Sequence, residues 1–177
     1  MRIVSGKFKS RRINAPGNIP VRPTTDFAKE SIFNILNNHF DFGDLDVLDL
    51  FCGIGGITFE FASRGVKEII SIDNNPRCAE FIKKTAGEFG IENLKVIKNN
   101  AFSFLGFCTK QFDIIFADPP YDSEGIEKIP DLVFEKNLLK ANGWLILEHS
   151  EKIKFIKHPN FKEHRKYGKV NFSIFAI

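Results

Sequence analysis

Residues Asp46-Val47-Leu48-Asp49-Leu50-Phe51-Cys52-Gly53-Ile54-Gly55-Gly56 decide the fold. A short apolar run carrying one internal acid breaks into a glycine-rich loop, which reads as a strand ending in a tight turn into a helix. Outward from this point the pattern repeats. KEIISID (67–73) is a second strand, after which Asn75 and Pro76 supply an N-cap and a first-turn proline. That helix carries Ala79, Ile82, Ala86 and Phe89 on its apolar face and closes at Gly90. NLKVIKNN (93–100), FDIIFAD (112–118) and WLILEH (144–149) are further strands, with a helix over IPDLVFEKNLL (129–139) between the last two. KIKFIK (152–157) and KVNFSIFAI (169–177) alternate with no helical pattern between them, and predict an antiparallel pair closing the sheet. Repeated strand–helix units imply an α/β doubly wound sheet, whose ligands sit beyond the carboxyl ends of the strands.

Upstream, RIVSGKFKSRRI (2–13) reads as two short strands around Ser5-Gly6-Lys7, a small β-hairpin, and Pro16, Pro20 and Pro23 mark an extended connection. Thr25 or Asp26 caps a helix that places Ala28, Ile32, Ile35, Leu36 and Phe40 on one face. The expected organisation is one domain over residues 1–177, with 1–23 as a basic hairpin and linker extension.

Composition narrows the class. With 43% hydrophobic and 27% charged residues, the 177-residue chain is globular rather than disordered. No apolar run approaches the roughly 20 residues of a membrane span, and the basic N-terminal stretch lacks the apolar core of a signal peptide. The net charge of +3 conceals a segregation. Residues 1–30 hold seven Lys and Arg against two acids, residues 151–177 the same, and residues 31–150 hold 11 against 18. Two blocks of +5 thus flank a centre of −7, and basic ends of this kind suit a polyanion. Cys52, Cys78 and Cys108 form no CxxC pair and are odd in number, which points to free thiols in a reducing cytoplasm. No His or Cys has the spacing of a zinc site, so no metal is expected.

Two loops carry the chemistry. In the first, Gly53 and Gly55 let the backbone approach a ligand, and Asp73 ends the next strand 20 residues after Gly53, where a carboxylate can accept both hydroxyls of a ribose. Asp49 lies inside a strand, where burial is costly without a partner, and a cationic ligand group would be one. A nicotinamide cofactor presents a pyrophosphate and is better served by a third glycine, but Thr58 occupies that position. S-adenosylmethionine, with a ribose, an ammonium and a sulfonium but no phosphate, suits the loop better.

In the second, Asp118-Pro119-Pro120-Tyr121 ends a strand on the same edge. Two prolines remove two amide donors and leave the Asp118 carboxylate and the Pro119 carbonyl as acceptors beside an aromatic face. Such a site takes a planar ligand bearing an exocyclic amine. Together the loops predict methyl transfer to a base amine, whose delocalised lone pair must be oriented toward the methyl group. Stacking on Tyr121 offsets the cost of taking the base out of its own stack.

At these residues the sequence resembles the RsmD-type methyltransferases, which modify the N2 amine of a guanine in bacterial 16S ribosomal RNA. The resemblance runs over nearly the whole chain: MRIVSGKFKSRRI, RPTTDFAKESIFNIL (22–36), LDLFCGIGG, SIDNN, NNAFSFL (99–105), DIIFADPPY and the Tyr167-Gly168 pair. The DPPY tetrapeptide alone indicates only an amino-group methyltransferase, whereas RPTTD with its following Lys-Glu is far more specific. The resemblance implies a Rossmann-like, mostly parallel seven-stranded sheet with an antiparallel C-terminal strand. It further implies S-adenosylmethionine held by Thr25, Asp49, Phe51, Gly53, Gly55, Asp73, Asn74, Asn100, Ala101 and Asp118, with Asp118 to Tyr121 holding the guanine. The basic arm (Arg2, Lys7, Lys9, Arg11, Arg12) and Arg22 would contact RNA or the small ribosomal subunit, and the enzyme would be a monomer. Relatives commonly carry alanine at Cys52, glycine at Thr58 and arginine at Lys29; none of these departures removes a group the chemistry requires. Phe8 and Phe51 are the aromatics to examine for ligand contact, and His149 reads as a satisfied surface histidine. An adenine-N6 methyltransferase, a non-catalytic RNA-binding module and a nicotinamide oxidoreductase are the competing readings.

Overall fold

Strands apolar on both faces need cover on both sides. In the computed structural model, which describes residues 1–17, 19 and 25–177, that cover comes from helices laid on a seven-stranded sheet. The elements in chain order are α1 (Asp26–Asn37), β1 (Asp46–Leu50), α2 (Gly56–Ser63), β2 (Glu68–Asp73), α3 (Pro76–Phe89), β3 (Leu94–Lys98) and α4 (Ala101–Phe107). They continue with β4 (Phe112–Ala117), α5 (Ile129–Glu135), β5 (Leu139–His149), β6 (Phe161–Tyr167) and β7 (Val170–Ala176). The sheet runs β3-β2-β1-β4-β5-β7-β6, with β1 to β5 parallel and β7 antiparallel to both β5 and β6.

Side chains alternate across the sheet with the period of the strand. Val47, Ile69, Ile114, Phe116 and Ile146 meet α1 and α2 through Ile32, Phe33, Leu36 and Phe61. Their neighbours Leu48, Ile70, Ile115 and Leu145 enter the opposite core, with Phe104, Ile129 and Val133 from α4 and α5. Strand order reverses between β1 and β4, and this switch point opens a crevice at their carboxyl ends.

Four sequence expectations change, one of them the helix over 129–139, which stops at Glu135 so that β5 begins at Leu139. Residues 2–13 form no strand pair; a single antiparallel bridge joins Arg2 to Arg12 around a turn over Ser5–Ser10. The segment is held instead by α2: Ser63 accepts the Lys7 amide at 2.7 Å, and Glu60 accepts that of Val4 at 2.7 Å. KIKFIK (152–157) is an irregular segment that buries Phe155 and exposes Ile156, and the partner of β7 is β6. The tight turn at Gly168, in left-handed conformation (φ 62°), pairs β7 with the residues immediately before it and excludes the more distant run. In α1, Thr25 is the cap, and Lys29 and Phe33 are buried while Ile35 and Phe40 lie at the core margin.

Lys29 explains the docking of the N-terminal arm. Its ammonium is almost fully buried and donates to the Arg2 carbonyl at 2.6 Å and to Glu60 at 3.0 Å. Glu60 also accepts from Arg64, whose guanidinium lies over the Phe33 ring. One buried charge network therefore ties the arm to α1 and α2, the helix that opens with the glycine loop.

Candidate active site

The carboxyl ends of the strands are stitched together by backbone bonds: Cys52 N–H donates to Ile72, Asn99 N–H to Asp73 and Asp118 N–H to Leu50. Around them lies a cavity of about 680 Å³, the size of a small-molecule site. Both predicted loops open into it.

On one wall, Asp49 is 1% exposed in the interior of β1. Thr58 donates to its carboxylate at 2.5 Å and, having spent its proton, accepts from Ser71 at 2.8 Å. The residue at the third-glycine position is thus a partner for the buried acid. Burial pushes the Asp49 carboxyl up to about 7, the Thr58 bonds oppose this, and the nearby Asp73 charge adds to the rise. A cationic group in the cavity would reverse that rise.

Asp73 divides its two oxygens between loop amides. One accepts Gly53 N–H and the other Asn75 N–H, each at 2.8 Å. These bonds aim the carboxylate at the cavity and leave each oxygen a further lone pair for a hydroxyl. Gly53 has φ 52° and lines the cavity; Gly55 does not. Gly55, predicted to touch the cofactor, is buried with φ 82°, and a Cβ there would stand 2.7 Å from the Phe59 ring. It is required by packing beneath the loop rather than by ligand contact.

The remaining wall brings together Asn74, Asn100 and Ala101. Asn100 caps α4 by accepting Ser103 N–H at 3.0 Å. Phe51, in left-handed conformation, meets Phe102 edge-on at 5.9 Å, and both residues line the cavity as an aromatic wall. Phe102 escapes a reading of the sequence, because its apolar neighbours in NNAFSFL hide it among core positions. Phe8 is buried against Phe89, away from the cavity. Thr25 lines the rim while capping α1.

Across the cavity stand Asp118, Pro119, Pro120 and Tyr121. Tyr121 is 36% exposed, and its hydroxyl donates to Glu148 at 2.8 Å. Glu148, at the end of β5, is a second residue missed in the sequence; its strand end is buried, and an acid in it is the signal that could have flagged it. His149 is buried rather than a surface residue, bonded to Ser173 and Ser150 and held below the usual imidazole range by burial. It does not line the cavity. Burial likewise pushes Cys78 up to about 11 and Cys52 well above the usual thiol range, so neither is a ready nucleophile.

The basic residues of the arm do not form one patch. Arg2 and Arg12 face each other across the bridge next to Met1, which lines the cavity. Lys7 and Lys9 flank the turn docked at the far end of α2, about 12 Å away along an eight-residue helix. Arg11 stacks on Phe8 and Phe89, with its guanidinium 4.6 Å from the latter ring. Arg22 lies outside the described residues. At the start of α1, one residue on from the Asp26 carboxylate that pairs with Arg2 at 3.0 Å, Tyr167 meets the exposed Phe27 ring edge-on, which brings the β6–β7 turn and its lysines beside α1. Among the described residues no cluster of three or more His, Cys, Asp or Glu could hold a metal, and no helix is long and apolar enough to cross a membrane.

Comparison with known proteins agrees with this geometry. The family described as Conserved hypothetical protein 95 matches residues 1–176. Ribosomal RNA small subunit methyltransferase D of Buchnera aphidicola is 31% identical over 99% of this chain and 91% of its own length. The protein of the same name from Escherichia coli is 31% identical over 82% of this chain and 69% of its own. The solved structure of Escherichia coli yhhF superimposes with a TM-score of 0.87 and 25% identity, covering 99% of this chain and 97% of that one.

Proposed function

The chain belongs to the family described as Conserved hypothetical protein 95, the RsmD family of methyltransferases, and we propose that it methylates the N2 amine of a guanine in small-subunit (16S) ribosomal RNA. The observation that carries this reading is one cavity with two kinds of wall. A buried, cation-seeking Asp49 and a doubly anchored Asp73 stand on one side, and the acceptor-rich Asp118-Pro119-Pro120-Tyr121 edge on the other. S-adenosylmethionine fits the first wall: its ammonium satisfies the charge Asp49 cannot easily hold alone, Asp73 takes the ribose hydroxyls, and the aromatic wall of Phe51 and Phe102 takes the adenine. It supplies an electrophilic methyl group on a sulfonium, which leaves as a neutral thioether.

The chain's own residues do the rest. Tyr121 stacks on the extruded base, worth about 1–3 kcal/mol. Asp118 and the Pro119 carbonyl accept the two amine hydrogens, which turns the nitrogen lone pair toward the methyl carbon and stabilises the positive charge that builds as the N–C bond forms. The excess proton leaves nitrogen for Asp118 or water. Arg2 and Arg12, and the lysines of the β6–β7 turn, grip phosphates beside an acidic centre that would repel RNA by itself. A ribosomal substrate places the reaction in the cytoplasm, with the enzyme acting as a monomer.

The test is labelled-methyl transfer by the purified protein to small subunits lacking the modification, followed by nucleoside analysis. N2-methylguanosine is the expected product, and Asp118→Ala is expected to abolish it while S-adenosylhomocysteine binding stays within threefold. N6-methyladenine, or full turnover by Asp118→Ala, refutes the reading.

A further inference from the structure

Glu148 has no part in the chemistry described above, yet it stands where the base must lie. It is 5% exposed, the tenth of eleven residues in β5, and it lines the cavity with Asp118 and Tyr121. β4 and β5 pair in parallel as far as Ala117 opposite Leu147, so Asp118 and Glu148 are the residues that immediately follow the last pair. Two carboxyl side chains thus stand at adjacent strand ends and line the same cavity. The Tyr121 hydroxyl, bonded to Glu148 at 2.8 Å, connects the second carboxyl to the ring on which the base stacks.

Guanine and adenine differ at the position beside the amine. Guanine presents N1–H next to its N2 amine, a row of donors, whereas adenine presents the bare N1 lone pair next to its N6 amine. A carboxylate facing that position accepts from guanine and repels adenine, which supplies both the attraction and the penalty that specificity needs. We propose that Glu148 is the residue that selects guanine: its carboxylate accepts N1–H while Asp118 accepts from the amine, and the Tyr121 hydroxyl fixes the Glu148 carboxylate in place. This rests on the guanine-N2 reading above and adds the group that enforces it.

The experiment compares wild type, Glu148→Gln and Tyr121→Phe on small subunits lacking the modification, with S-adenosylhomocysteine affinity measured by calorimetry. Wild type is expected to yield N2-methylguanosine. Glu148→Gln is expected to lower kcat/KM by about 100-fold, the loss of one charge-assisted hydrogen bond, with cofactor-product affinity within twofold. Guanosine monophosphate and 2-aminopurine riboside monophosphate, which keeps the amine but has a bare N1, then serve as inhibitors. The wild type is expected to favour the guanine nucleotide at least tenfold, and both variants to narrow that gap. Tyr121→Phe keeps the carboxylate and the stacking ring, so it decides the matter should Glu148→Gln fold poorly. Glu148→Gln turnover within threefold of wild type, equal response of the wild type to the two nucleotides, or a gap unchanged in Tyr121→Phe overturns the proposal. N6-methyladenine as the wild-type product instead overturns the guanine reading itself.

Discussion

Raising the pH from 6 to 8 is expected to tighten S-adenosylhomocysteine binding about tenfold through Asp49. Burial holds this carboxyl at about 7, so in the unliganded protein it is half protonated at neutral pH. An ammonium beside it favours the ionised form, so binding must release the proton from whatever fraction carries one. If the bound form titrates below 6, the apparent Kd carries a factor of about 11 at pH 6, about 2 at pH 7 and about 1.1 at pH 8. The tenfold span corresponds to about 1.4 kcal/mol. Calorimetry in buffers of different ionisation enthalpy reads both the affinity and the proton, with close to one released per ligand at pH 6. Asp49→Asn is expected to bind weakly with no pH dependence over this range. The same residue works against the unliganded fold. Its folded value lies above that of an ordinary carboxyl, so the stability it contributes when protonated is lost as pH rises through about 7. Asp49→Asn is therefore expected to melt higher than unliganded wild type at pH 8. Affinity that is flat or falls from pH 6 to 8, or no proton release, refutes the reasoning.

Further perturbations test the frame around the site. Glu60→Ala takes the buried carboxylate from the Lys29 ammonium, leaving it the Arg2 carbonyl and Asp26 at 3.6 Å, and frees the Val4 amide, so denaturant melts are expected to show a loss of about 3 kcal/mol, with faster amide exchange in residues 2–13. Gly55→Ala drives a methyl group into Phe59 at a left-handed position; a loss of about 1–3 kcal/mol in stability, together with weaker S-adenosylhomocysteine binding from a displaced loop, is expected in melting and calorimetry. Reversing Arg2 and Arg12 is expected to weaken RNA binding and flatten its salt dependence, measured by filter binding across salt, whereas reversing Lys7 and Lys9 has the smaller effect.

The parallel half of the sheet was legible because each strand announces itself as an apolar run bounded by glycine, proline or an N-cap. Asp49, Asp73 and Asp118 were legible because acids within or at the ends of such runs break them. What the sequence hid was set by tertiary partners. The 152–157 run alternates like a strand, but the turn at Gly168 gives the hydrogen bonds of β7 to Phe161–Tyr167. Lys29 looks like a surface helix residue until Glu60, 31 positions later, folds over it. Thr58 departs from a glycine pattern yet supplies the hydroxyl that the buried Asp49 needs. Glu148 lies in a strand whose every other signal is burial, and its meaning depends on Tyr121 from another loop.

The two basic blocks of the sequence approach each other at the start of α1. The N-terminal one splits between Arg2, paired with Asp26, and the turn docked at the far end of α2, and the C-terminal one reaches α1 through Tyr167 and Phe27. Between them and the sheet lies the cavity lined by Asp49, Asp73 and Asp118.

Nucleoside mapping of small-subunit RNA from cells with and without this protein tests the central claim most directly. One N2-methylguanosine is expected to disappear without the protein, to return with the wild-type chain and not to return with Asp118→Ala. An unchanged guanine pattern, or the loss of an N6-methyladenine in its place, would contradict the assignment.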